Sequence, residues 1–344
     1  MALCDYNDIL ISMNEEFDLI SIGDITTDAF IRVKQADVYY DKEDNEEKLC
    51  LTNGGKIPYE FTKIVSGVGN SPNAAVCATR LGLKTALVTN LGDDDSGKDI
   101  LEALEQNNID SRFVRVQTGK TSNYHYVLWH KDERTILIKH EEYDYILPDI
   151  GNPRWIYLSS VGENSLEYHQ TILRFIQEHP DTKLAFQPGT FQVKLGYEKL
   201  KDIYKATEAF FCNKEEAQLI LKTEEENCAK LAHEISFLGP KISAVTDGKN
   251  GAYAYDGENA WYLPSYPNEI PPLESTGAGD SFSSSFVSAL ALGKSVEEAL
   301  MWGPINAMSV IRKIGAQEGL LSREELEKYI TEKPDFYTPQ KVEI

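Results

Sequence analysis

Cysteine is scarce in this 344-residue chain. The five residues Cys4, Cys50, Cys77, Cys212 and Cys228 are odd in number, scattered, and include no CxxC pair. That excludes a disulfide framework and a cysteine-based zinc site, and it fits free thiols in a reducing cytoplasm. Basic charge is also short: 34 Lys and Arg stand against 55 Asp and Glu, a formal net charge of −21. With no compensating basic patch, such a chain is not expected to bind a nucleic-acid backbone or an anionic membrane surface. No apolar window of about 18 residues is long enough to span a bilayer. Met1 to Glu16 carries Asp5, Asp8, Glu15 and Glu16 without Lys or Arg, so it lacks the basic start of a secretory signal. The six histidines form no pair at metal-ligand spacing, and His125, His130 and His140, in or beside strand-like runs, read as packing or surface residues. There is no internal repeat and no low-complexity linker.

What is present is the makeup of a globular protein, 42% hydrophobic and 26% charged. Its length suits two domains, or one large α/β unit with an appendage. Strand-like and helix-like patterns alternate. Strands are expected at Phe17–Ile22, Lys84–Asn90, Trp155–Ser159, Lys183–Phe186, Ala209–Cys212 and Ile242–Thr246. Helices are expected at Asn73–Leu81, Ser96–Gln106, Ser165–Glu178, Lys214–Leu221 and Glu225–Leu238. This alternation predicts an α/β fold, a mostly parallel central sheet with helices on both faces. Two stretches break it. Residues 31–66 hold β-type runs, an acidic loop and the turn Asn53-Gly54-Gly55; residues 121–140 read as a hairpin, Asn123–His130 and Thr135–His140. Together they predict a small β-sheet lid. The last third reads as helical, Ala278–Leu292, Val296–Lys313 and Arg323–Tyr329, followed by an extended tail. The expected layout is an N-terminal extension 1–16, a main unit 17–330 and a C-terminal tail 331–344.

The strongest chemical signal is Thr276-Gly277-Ala278-Gly279-Asp280. Phe282, Phe286, Ala289 and Leu290 follow on one helical face, so the glycines stand at a helix N-terminus. Unpartnered N–H groups there, with the positive end of the helix dipole, make an anion site suited to a phosphate. A carboxylate beside that site has two readings: Asp280 caps the helix, or it is a general base that takes a hydroxyl proton while the amides stabilise a transferring phosphoryl group. Two near-misses fall away. Gly92 to Asp99 resembles a phosphate-binding loop, but it has Asp99 where a hydroxyl must reach Mg²⁺ and three aspartates where phosphates would lie. Gly67 to Pro72 starts like a dinucleotide fingerprint, with Pro72 in place of the third glycine.

From about Phe17 to Tyr329 the chain resembles the PfkB/ribokinase-like carbohydrate kinases. Gly277-Ala278-Gly279-Asp280 is similar to their C-terminal signature, which implies Asp280 as base and the Gly277, Ala278 and Gly279 amides as anion hole. Gly69 to Asn73, leading to Arg80-Leu81-Gly82, resembles the N-terminal signature, with Val68-Gly69 in place of a Gly-Gly pair. Gly69 and Asn73 would then bind substrate, Asn73 through a hydroxyl. Gly23 to Asp28 resembles the first-strand motif, whose Asp, here Asp28, binds sugar hydroxyls. Asn213-Lys214-Glu215-Glu216 is similar to the family's Asn-x-x-Glu motif, implying that Glu216 holds Mg²⁺ through water beside Asn213 and the nucleotide phosphates. Thr246, Gly248 and Gly251 resemble the strand-end turn at the nucleotide site, and Asn306 is a weaker candidate for that pocket. Outside the resemblance, Asp28 reads as a loop or cap carboxylate, Glu216 as an exposed helix residue, and 246–251 as a plain turn. Glu274-Ser275-Thr276 stands where Asp-Thr-Thr is common, a position tied to a monovalent cation in some members, which leaves K⁺ open.

The resemblance thus implies a ribokinase-like fold and ATP- and Mg²⁺-dependent phosphorylation of a sugar hydroxyl, in the cytoplasm. The alternatives are a nucleoside kinase, with Tyr124, Tyr126 or Trp129 stacking on a base, and a catalytically silent sugar-binding regulator, against which Asp280 argues. Arg134, at the expected hairpin tip, reads as a surface turn residue, with a phosphate contact as the alternative. The lid strands leave an open sheet edge, so a homodimer through the lid is expected.

Overall fold

The computed structural model describes residues 16–43, 46–131, 133–268 and 270–344; of the expected N-terminal extension only Glu16 lies among them. The chain enters through β1 (Leu19–Ile22), all four residues buried. Successive side chains go to opposite faces, so Leu19 joins one apolar core while Ile20 and Ile22 join the other. A strand covered on both faces needs an unbroken apolar run rather than alternation. Then come β2 (Thr26–Val33), β3 (Asp37–Asp41), β4 (Glu46–Cys50) and β5 (Tyr59–Val68). Helix α1 (Asn70–Arg80) begins three residues ahead of the expected Asn73, because Gly69 at φ 123° turns the chain there. Its small residues Ala74, Ala75, Cys77 and Ala78 are buried and allow close packing.

Strand β6 (Thr85–Gly92) leads into α2 (Asp95–Gln106). Asp94 caps α2, accepting the Gly97 N–H at 2.9 Å and both the N–H and hydroxyl of Ser122. The sequence that mimics a phosphate-binding loop is therefore a carboxylate-capped helix start. Next are β7 (Val114–Gln117), β8 (Asn123–His130), β9 (Glu133–Leu137) and β10 (Trp155–Leu158), then α3 (Leu166–Glu178) and β11 (Lys183–Phe186). Helices α4 (Thr190–Leu195) and α5 (Tyr197–Ala206), unforeseen in the sequence, precede β12 (Thr207–Asn213). The chain continues through α6 (Lys214–Leu221), α7 (Cys228–Ser236), β13 (Ile242–Thr246), β14 (Ala252–Tyr255) and β15 (Ala260–Leu263). It ends with α8 (Ala278–Ala291), α9 (Val296–Val310), α10 (Arg323–Thr331) and β16 (Gln340–Val342).

The central sheet has ten strands in the order β16-β15-β14-β13-β12-β11-β10-β1-β6-β7. Pairings from β7 through β13 are parallel, and those of β14, β15 and β16 are antiparallel. Residues of α1, α8 and α9 cover one face, and residues of α3, α5, α6 and α7 the other. The tail, expected to be extended, is so at β16 and is anchored to the main unit. Tyr337 is fully buried, its hydroxyl donates to the Met301 carbonyl at 2.7 Å, and β16 pairs with β15. The Tyr337 ring packs edge-on against Tyr266 and holds the proline-containing segment in place.

The lid is a separate four-stranded sheet, order β5-β2-β8-β9, with β2 parallel to β8 and antiparallel to β5. It begins at Thr26 rather than near residue 31, which places Asp28 on an inner lid strand. Strands β3 and β4 form a two-stranded antiparallel sheet. Among the described residues no helix is long and apolar enough to cross a membrane.

Candidate active site

Ligands of open α/β sheets bind beyond the carboxyl ends of the parallel strands. Here those ends deliver Gln187 just after β11, Asn213 at the end of β12 and Thr246 at the end of β13. The N-terminus of α8 points into the same space. Gly277, at φ 78°, makes the turn into the helix; a Cβ there would lie 2.3 Å from the Ala316 Cβ. Gly279 is different. The nearest atom to its would-be Cβ is Gln187 Nε2 at 4.0 Å, so a side chain would fill open space in front of the helix. The Ala278 N–H reaches the Ser275 carbonyl at 3.3 Å, whereas Gly279 and Asp280, in the first turn, have no intrahelical acceptor for theirs.

Asp280 sits on that turn with both carboxylate oxygens held. Asn73 Nδ2 donates to Oδ2 at 2.8 Å and Gln187 Nε2 to Oδ1 at 3.0 Å. Burial pushes this carboxyl above the ordinary aspartate range, the two amide donors pull it down, Asp28 pushes it up and Arg134 pulls it down. The hydrogen bonds to its side chain thus come from distant amides, Asn73 and Gln187, and not from the start of its own helix.

Two cavities meet at this point. One of about 410 Å³ is lined mainly by apolar groups, with Thr246, Gly248 and Gly251 along one side, Tyr266 and Met308 on another, and Ala278 and Gly279 at its end. The second, about 190 Å³, lies among Asn213, Glu216, Gln187, Gly279 and Asp280. They share Thr246, Gly279 and Phe282. Asn213 and Glu216 form a reciprocal cap at the start of α6: Asn213 Oδ1 accepts the Glu216 N–H at 2.8 Å, and Glu216 Oε2 accepts the Asn213 N–H at 2.9 Å. Burial and the nearby Asp280 push the Glu216 carboxyl up. A hydrated divalent cation in the smaller cavity would favour its charged form, so the donors present fit Mg²⁺ held through water.

Lid strands cover the other side of Asp280. Asp28 Oδ1 lies 3.3 Å from His125 Nδ1 without the alignment of a hydrogen bond, and among the described residues both Asp28 Oδ1 and His125 Nε2 are buried without a hydrogen-bond partner. Buried polar atoms of this kind call for a partner that a polyhydroxylated ligand can supply. Behind them, Tyr145 donates to both oxygens of Asp24 at 2.9 Å, and His140 Nδ1 is 3.6 Å from Asp24 Oδ2. His125 and His140 pack ring to ring, and His140 also packs edge-on against Phe191, so their packing places them beside these carboxylates.

Other placements depart from the sequence reading. Asn306 is completely buried, donating to Ser285 Oγ at 2.8 Å and accepting the Leu321 N–H at 3.0 Å. The larger cavity takes the opposite face of α9, with Pro304, Ala307 and Met308. Asn73 spends its amide on Asp280 and on Gln317 rather than presenting it freely to a substrate. Gly69 is a turn glycine whose Cβ would come within 3.0 Å of the Asp24 carbonyl. Gly251, at φ 105°, serves the strand turn as well as the cavity wall. Arg134 reaches Ser275 Oγ at 2.5 Å and Glu274 at 3.4 Å. Glu274 also accepts N–H groups from Thr276 at 2.7 Å and Gly315 at 3.0 Å. Its oxygens face N–H donors and a guanidinium instead of the oxygen ligands a monovalent cation needs, so the residues there do not fit K⁺. Gln187 and Gln317 were not singled out in the sequence; the position of Gln187 at a parallel-strand carboxyl end was the available signal.

The comparisons with known proteins agree with this architecture. A family model described as pfkB family carbohydrate kinase matches residues 35–323. The ribokinase of Bacillus subtilis (strain 168) is 27% identical over 269 residues, 76% of this chain and 87% of that protein. The structure of Arabidopsis thaliana ribokinase complexed with ribose and ATP superposes with a TM-score of 0.76 at 20% identity, covering 91% of this chain and 98% of that one. The nucleoside kinase of Methanocaldococcus jannaschii superposes with a TM-score of 0.73 at 16% identity, covering 93% and 100%. The fold is ribokinase-like, and, with the model match running from the lid into α10, the chain belongs to the pfkB family of carbohydrate kinases.

Proposed function

We propose that this chain transfers the γ-phosphoryl group of ATP to a hydroxyl of a sugar, with Asp280 as general base. The observation that carries this reading is the place of Asp280, where the two cavities meet the free first-turn amides of α8. The apolar larger cavity suits the nucleoside, and its end at Ala278 and Gly279 puts the phosphates over main-chain donors. The amides of Gly277 and Gly279 receive the charge that develops on the transferring group, while that of Ala278, also expected in the anion hole, is turned to the Ser275 carbonyl. Asn213 and Glu216 would hold Mg²⁺ through water, and the ion would supply charge neutralisation for the phosphates. Asp28, with His125 beside it, orients the acceptor. Asp280 takes the hydroxyl proton as the oxygen attacks, and catalysis is otherwise positioning. The lid excludes water, so ATP is not spent on hydrolysis.

Strand alternation favours a sugar over a nucleoside. His125 faces Asp28, so Tyr124 and Tyr126 point to the opposite side of the lid. Trp129 packs on Phe61 and under Arg32. Among the described residues β5 and β9 are the edge strands of the lid sheet, and with exposed Ile64 and Leu137 they support a dimer through the lid. A coupled ADP-release screen across sugars and nucleosides tests the assignment. Turnover with a sugar and none with nucleosides is the expected outcome; turnover only with a nucleoside, or sugar binding without ADP release, contradicts it.

A further inference from the structure

The two amides that hold Asp280 are not equivalent. Behind Gln187, its carbonyl faces the hydroxyls of Tyr157 and Ser283. Hydroxyls both donate and accept, so they tolerate either orientation of the amide. Behind Asn73 the situation is different. Asn73 Oδ1 accepts from Gln317 Nε2 at 3.0 Å, and the same Nε2 donates to the Gly67 carbonyl at 2.8 Å. A backbone carbonyl can only accept. Gln317 must therefore turn its NH₂ edge to Gly67, its second N–H must point at Asn73, and Asn73 must show its carbonyl to Gln317 and its NH₂ to Asp280. The polarity of the whole chain is dictated by one main-chain oxygen.

Gln317 is itself fixed in place. It is 7% exposed, and Arg80 Nη1 donates to its main-chain carbonyl at 2.8 Å. Its neighbours tie the same loop to the rest of the site: Gly315 donates to Glu274, Ala316 fills the space beside Gly277, and lid residue Lys63 donates to the Ile314 carbonyl at 3.0 Å.

We propose that Gln317 is a positioning residue for Asp280, fixing through Asn73 a permanent N–H donor on one carboxylate oxygen and so keeping the base ionised in a half-buried site. This rests on the reading of Asp280 as the base for its functional meaning, but the orientation itself can be tested without turnover. Other charges facing Asp280 are Asp28 from β2, Arg134 from β9 and Glu216 from α6, with the Tyr157 phenol from β10; none is altered by a change at Gln317.

The experiment is a ¹³C NMR titration of the full chain carrying carboxyl-labelled aspartate, with the Asp280 signal assigned by its loss in Asp280→Asn. Gln317→Met keeps the side-chain shape and removes the amide, which frees Asn73 to turn. The Asp280 titration midpoint is expected to rise by about 0.5–1 pH unit, up to roughly a tenfold smaller ionised fraction at pH values below both midpoints. Gln317→Glu accepts instead of donating, forces the Asn73 carbonyl toward Asp280, and is expected to raise the midpoint further. Midpoints within about 0.2 unit of wild type in either variant, with its fold intact by melting temperature, overturn the proposal. An active Asp280→Asn overturns the reading of Asp280 as the base instead and leaves the titration result to stand on its own.

Discussion

The same substitution, made two residues apart at the start of α8, should have opposite consequences. Gly277 holds φ 78°, and an added Cβ would sit 2.3 Å from the Ala316 Cβ. Left-handed backbone costs a non-glycine residue about 1–2 kcal/mol, and the overlap forces the 315–317 loop to move as well. Gly277→Ala should therefore lose about 2–4 kcal/mol of stability, the larger part from strain and overpacking. Gly279 has no such neighbour; the closest atom to its Cβ is 4.0 Å away. Alanine is the better helix former by about 0.5–1 kcal/mol, so Gly279→Ala should melt at or slightly above the wild-type temperature. Its methyl group, however, would lie in the open space where the proposed function puts the phosphates. Loss of one charge-assisted hydrogen bond, worth about 1.5–3 kcal/mol, lowers kcat/KM for ATP roughly 10- to 100-fold. Thermal melts of both variants, alongside a coupled ADP-release assay, give the two readouts. Wild-type kinetics for Gly279→Ala would refute the placement of the phosphates on α8; a wild-type melt for Gly277→Ala would refute the steric reasoning.

Because the Glu274 carboxylate already has Arg134 and two N–H donors, replacing K⁺ by a bulky organic cation at constant ionic strength should change turnover by less than about twofold; a tenfold K⁺ activation would contradict that. Glu216→Gln should raise the Mg²⁺ concentration needed for half-maximal rate by about tenfold or more, with little change in the melting curve, and an unchanged Mg²⁺ titration would remove Glu216 from the metal site. Leu137 is 52% exposed on edge strand β9. Leu137→Glu should shift light-scattering mass from dimer to monomer, and a wild-type chain that is monomeric at micromolar concentration would exclude the lid dimer.

Much of the frame was legible because its signals are local. Leu19 to Ile22 is apolar without interruption, and the glycines before Phe282 mark a helix start whatever surrounds them. Lid strand β2 was harder: Thr26-Thr27-Asp28 is polar on both faces, Thr27 meeting Ser66 and Ser96 and Asp28 meeting His125, so its register shows only once β5 and β8 lie beside it. The site was least legible where pairing is distant. Asn73 meets Asp280 across 207 positions, and Gln317 meets Asn73 across 244. No periodicity encodes such a contact, which is why Asn73 read as a substrate ligand and Gln317 did not stand out. Asn306 misled for a related reason: an amide on a helix near a pocket reads as a ligand, whereas its face of α9 packs against Ser285 and caps the Leu321 N–H.

The most direct measurement is turnover by Asp280→Asn at saturating ATP and acceptor, with nucleotide affinity measured separately. The side chain keeps its size, so ATP should bind within about threefold of wild type while kcat falls roughly 10²- to 10⁴-fold. A kcat within about threefold of wild type would mean that the proton leaves by another route, and Asp280 would not be the base.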